Sequence, residues 1–158
     1  MRRLALPLAA CLLLAGCAPT VSLTPAPQAT AVGCAKVIVG IRGVDAIGTA
    51  ERRQTDAQGT AAWGTSASVT LYCGVETPAA SAIKCYPYRG VDWLPTTSGD
   101  DRVLTTFGRE PGVQIITTSD TSINDALDAL ADPVAQGTRS TGARCLSTSD
   151  IPAPSATP

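Results

Sequence analysis

The spacing of apolar and polar residues changes period several times along this chain, and each change marks an expected element. Ser68-Val69-Thr70-Leu71-Tyr72-Cys73 alternates, which puts Val69, Leu71 and Cys73 on one face of a half-buried strand. Gly112 to Thr117 alternates in the same way, with Val113 and Ile115 inward. Between them, Tyr88 to Leu94 predicts a short strand, Pro95 to Asp101 a turn, and Arg102 to Phe107 the returning partner, so the three read as a hairpin. A polar edge strand is expected around Arg52 to Thr55. The period then lengthens: Ile123, Ala126, Leu127 and Leu130 share a helical face, with Asp125 and Asp128 on the wet side. Ser122 stands three residues before Asp125, a capping box with Asp in place of Glu, and Pro133 is expected to end that helix. Near the other end, Cys34, Val37, Ile38 and Ile41 also fall on one helical face, although the β-branched run Val37-Ile38-Val39 equally suits a strand. The sum is an α+β domain: an antiparallel sheet of about four to five strands with a helix near each end, over residues 33–147.

Upstream of the domain the pattern has another meaning. An apolar run from Leu4 follows Arg2 and Arg3 and closes on Leu14-Ala15-Gly16-Cys17. A positive start, a short apolar stretch and small residues before a cut describe an export signal, and a cysteine at the cut resembles the lipobox of bacterial lipoproteins. The residue types follow from the chemistry, because small Ala15 and Gly16 leave the Cys17 thiol open to diacylglyceryl transfer and the Gly16–Cys17 bond open to cleavage. The run is roughly 11 residues, against about 20 for a helix that crosses a bilayer. Retention is then expected from lipid, and the two acyl chains of a diacylglyceryl group anchor stably where one does not. This divides the chain into a signal at 1–16, an acylated terminus and disordered Pro/Ala/Thr linker at 17–32, the domain at 33–147 and a free tail at 148–158. The expected location is the outer face of the cell membrane.

Composition narrows the chemistry. The chain has 158 residues and a formal charge of −1; loss of Arg2 and Arg3 leaves ten Lys and Arg against thirteen Asp and Glu, a charge of −3. No basic run extends beyond Arg52-Arg53, so nucleic acid is not an expected partner. Histidine is absent, which removes the commonest general base and every Ser-His or Cys-His nucleophile. Of six cysteines, Cys11 leaves with the signal and Cys17 takes the lipid. The remaining Cys34, Cys73, Cys85 and Cys145 read as two disulfides of an exported domain. Chain order favours Cys73 with Cys85 as a local clasp and Cys34 with Cys145 as a staple joining the ends. No C-x-x-C pair occurs, so neither a metal nor another cofactor is expected.

Taken in order, Arg52-Arg53, Ala62-Trp63-Gly64, Cys73-Gly74-Val75, Gly90-Val91-Asp92-Trp93 and Thr106-Phe107-Gly108-Arg109 resemble an actinobacterial family of exported, membrane-anchored proteins of unknown function. The likeness covers roughly Cys34 to Leu130. Phe107 stands where that family tends to have Tyr, and Ile41-Arg42 where Leu-Pro is usual. The resemblance implies a fold and a location and brings no catalytic residues. Trp63 and Trp93 read as core anchors in a chain with one Phe, and Asp92 with Arg109 as an ion pair between strands. A sharper reading has Arg89, Asp92 and Arg109 lining a groove for an anionic or glycan ligand, with Trp93 stacking on it. The expected function is a lipid-anchored, non-catalytic envelope domain that binds a protein or a wall component. The rival is a wall-glycan hydrolase with Glu76 and Asp92 as paired carboxylates.

Overall fold

The computed structural model describes residues 19–78 and 84–145. The signal, the Gly16–Cys17 junction and the C-terminal tail lie outside the described residues. The elements in order are α1 (Val32–Gly40), β1 (Ala46–Ile47), β2 (Ala50–Arg53), β3 (Thr60–Trp63), β4 (Val69–Val75), β5 (Tyr86–Tyr88) and β6 (Val91–Ser98). They continue with β7 (Asp101–Phe107), β8 (Arg109–Glu110), β9 (Gly112–Thr117), α2 (Ile123–Gly137) and β10 (Arg139–Ser140). Eight strands form one antiparallel sheet in the order β1-β2-β3-β4-β9-β7-β6-β5, and β8 pairs with β10 apart from it. The class is mostly β with two helices. The sheet has more strands than expected, because pieces of two or three residues carry too few positions for an alternation to show.

The alternating strands lie where their pattern put them. In the central pair, Leu71 faces Ile115 and Cys73 faces Val113, and all four side chains are fully buried. Trp63 pairs with Val69 on this same face, Trp93 joins it from β6, and Val37, Ile41, Leu127, Leu130 and Val134 close it from the helices. Ser122 caps α2, its Oγ accepting from the Asp125 N–H at 3.3 Å. The helix does not end at Pro133 but runs on to Gly137. Pro133 gives up one backbone hydrogen bond and instead packs beside Gly40 of α1. One turn later, a side chain at Gly137 would strike Val37, so glycine there sets how closely the two helices approach.

Two expectations fail. First, residues 19–31, read as a free spacer because they cannot build a core, lie along the domain. Val21 bridges to Thr55, the Val21 N–H reaches the Gln54 carbonyl at 2.8 Å, and the Gln28 N–H reaches that of Gly74 at 3.0 Å. Asp56 accepts from the Ser22 hydroxyl at 2.6 Å and the Leu23 N–H at 2.9 Å. Gly74 permits this with φ +93° and a bare Cα, where any side chain would meet the backbone of Gln28. The segment lacks apolar bulk but offers backbone donors and acceptors to a strand edge. Second, the disulfides join Cys34 to Cys73 and Cys85 to Cys145, not Cys73 to Cys85 and Cys34 to Cys145. Cys34 sits on the buried face of α1, directly over Cys73 at mid-sheet, so the fold brings them together whatever their order in the chain.

Candidate functional site

The four residues expected to line a groove go separate ways. Trp93 is fully buried on the helix-covered face of β6 and offers no ring for a ligand to stack on. Asp92, its neighbour on the opposite face, accepts from the Cys145 N–H at 2.6 Å. Arg109 donates to the backbone carbonyls of Ala135 and Thr138 at 3.3 and 3.4 Å and to that of Gly90. The expected ion pair between Asp92 and Arg109 therefore does not form; each side chain ties down a backbone end instead. Arg89 sits in the β5–β6 turn with φ +45°. Its guanidinium pairs with Asp128 at 3.3 Å and Asp132 at 3.0 Å on α2, and lies 5.6 Å from the Tyr88 ring centre. The Tyr88 hydroxyl also donates to Asp128. Those bonds, with Arg89 beside it, hold the Asp128 carboxyl below its usual range and raise Arg89 above its own. This is a clasp between the β5–β6 turn and α2, and its charge is already balanced by two carboxylates.

The paired carboxylates fare no better. Glu76 leaves β4 and Asp92 begins β6, three strand steps away in the sheet order. That is about 14 Å of backbone, and the Asp92 carboxylate is already engaged by the Cys145 N–H.

A different concavity has the features of a site. The two helices pack on each other and leave β2 and the start of β3 extending past α1. Between them lies a groove of about 470 Å³. On the side of α1 it is lined by Ala31, Ala35, Ile38 and, just past the helix end, Arg42, and on the side of the strands by Arg52, Arg53, Gln54, Thr55 and Gln58. Among the described residues no Asp or Glu lines it. Arg52 is held from two sides: one nitrogen donates to the Ile41 carbonyl at 2.6 Å, at the end of α1, and its guanidinium carbon lies 5.1 Å from the Trp63 ring centre. The Trp63 indole N–H in turn donates to the Val44 carbonyl at 2.9 Å. A cation at a helix C-terminus and over an aromatic face is favoured on both counts. Burial lowers the pKa of Arg52, and the nearby charge of Asp45 only partly offsets this. Arg53 also lines the groove, but its guanidinium binds the Gly64 and Thr65 carbonyls at 3.1 and 2.8 Å and that of Pro19 at 2.6 Å.

Sequence reasoning passed over this groove. Arg52-Arg53 stood out as the one basic pair, but alternation along β2 sends the two guanidinium groups to opposite faces, and Arg42 lies in a loop with no periodicity to place it.

Neither a curated protein nor a solved structure matches the chain. The family described as "Protein of unknown function (DUF3515)" matches residues 5–142, a span that takes in every element of the sheet and both helices. The chain belongs to that family.

Proposed function

We propose that this is a lipid-anchored lipoprotein of the cell envelope whose folded domain binds a ligand or partner and carries out no chemistry of its own. The observation that carries the reading is the run from Arg2 to Cys17, with Leu14-Ala15-Gly16 ahead of the one cysteine placed for acylation. Two supports stand beside it. The other four cysteines outside the leader are oxidised in pairs, as in a protein that works in an oxidising compartment. No helix among the described residues is long and apolar enough to cross a membrane, so a covalent lipid would supply the attachment. The actinobacterial envelope setting belongs to this proposal as well. A chain without histidine has few routes to general base catalysis, which favours binding over turnover.

Cys17→Ala is the test. Fatty-acid incorporation should vanish and the uncleaved precursor accumulate, read by metabolic labelling and by mass. Normal processing of that variant would overturn the anchor. Release of wall fragments by the purified protein, lost on Asp92→Asn, would overturn the non-catalytic part.

A further inference from the structure

We propose that the groove between α1 and β2–β3 binds an anionic amphiphile, its acid group held by Arg42 and Arg52 and its apolar part laid along Ala31, Ala35 and Ile38. This deepens the binding reading above and is independent of the anchor. Three observations carry it. The groove is lined by three arginines, Arg42, Arg52 and Arg53, and among the described residues by no carboxylate, in a chain where acids outnumber bases. Arg52 is partly buried, yet the only hydrogen bond of its guanidinium among the described residues goes to the neutral Ile41 carbonyl, and it has no ion pair there. Arg42 is exposed, and its guanidinium makes neither a hydrogen bond nor an ion pair among the described residues. A guanidinium has five donors, so most of the hydrogen-bonding capacity of both side chains is unused among the described residues.

A partly desolvated cation whose nearby acid, Asp45, offsets only part of that burial and makes no ion pair with it is in an expensive state that an incoming anion relieves through charge-assisted bonds. The opposite wall sets the other half of the ligand. Ala31, Ala35 and Ile38 present a smooth apolar strip beside the cations, whereas a free inorganic anion would leave that strip facing water. Phosphate and carboxylate share the required chemistry, and short alkyl forms of each serve as probes.

The experiment is isothermal titration of the full chain in phosphatidylcholine nanodiscs, with empty nanodiscs as reference. The probes are hexyl phosphate, hexanoate, inorganic phosphate and hexanol. Saturable binding of at least one alkyl anion is expected, with inorganic phosphate and hexanol each about tenfold weaker or worse. Arg42→Glu, on an exposed side chain, should weaken the alkyl anion by about tenfold or more while leaving the thermal unfolding curve in place. Ala35→Glu, which puts a carboxylate in the groove, should act alike. Binding of neither alkyl anion, equal binding of hexanol or of inorganic phosphate, or unchanged affinity in Arg42→Glu would each overturn the proposal. Acylation of Cys17, measured by mass on the same sample, separates a failed groove from a failed anchor.

Discussion

The two disulfides hold the domain by different means. Cys34–Cys73 ties α1 to the central strand β4, and neither residue is exposed to solvent. Cys85–Cys145 joins the approach to β5 with the chain beyond β10, and both of its residues are only half-buried. Sequence separations of 39 and 60 would make the outer bond worth slightly more by loop closure alone, about 4.3 against about 3.9 kcal/mol. Burial reverses that order. Removing the inner pair also empties volume at the contact between helix and sheet, where neighbours cannot relax freely. A cross-link counts for more where it belongs to the packing than where it only shortens the unfolded chain.

The comparison breaks first on the cysteines themselves. Cys34→Ala with Cys73→Ala should cost about 5 kcal/mol, while Cys85→Ala with Cys145→Ala should cost about 4 kcal/mol. Chemical denaturation measures both, and the reverse order would show that loop length governs. Native-state reduction sharpens the point, since mild thiol should open Cys85–Cys145 while Cys34–Cys73 waits for global unfolding, read by alkylation and mass. Gly74→Ala, beside Cys73, should cost about 2 kcal/mol from its left-handed backbone and should free residues 19–31, seen as faster amide exchange at Gln28. Asp92→Asn should cost about 1 kcal/mol by weakening the bond to the Cys145 N–H, and should speed reduction of the outer disulfide only.

The smallest effect is a pH dependence at Asp56. Its carboxyl is pulled below the ordinary range by the Ser22 hydroxyl and then the Leu23 N–H. A depressed carboxyl stabilises docking fully above the ordinary value of about 3.9 and loses that contribution as pH falls through the folded value. The Leu23 amide signal should therefore shift on acidification below about pH 4, and Asp56→Asn should abolish the shift.

Local pattern made some of this legible and could not reach the rest. Alternation at Val69-Leu71-Cys73 and Val113-Ile115 names the central strands because the side chains of a strand report their own burial. Ser122 names the start of α2 because capping is a bond three residues long. Cysteine pairing has no such local sign. Which thiol meets Cys73 depends on where α1 lands, and chain order pointed to the wrong neighbours. Pro133 misled for a related reason: the missing hydrogen bond is local, but packing of both helices along Gly40 and Gly137 is not. The expected ligand groove failed because each of its residues was already engaged, Arg109 and Asp92 by backbone and Arg89 by α2. The groove beneath α1 depends on how far two helices cover an eight-stranded sheet, which no stretch of sequence records.

The docking of the early segment changes the geometry of attachment. Pro19 is bound through its carbonyl to Arg53, so with lipid on Cys17 the leash between grease and body is two residues, no more than about 7 Å. On so short a leash the domain does not sweep the space above the bilayer. Under the proposed anchor it would rest against the headgroups with the Arg53 and Thr65 corner underneath, and lengthening the leash should turn a fixed posture into free tumbling.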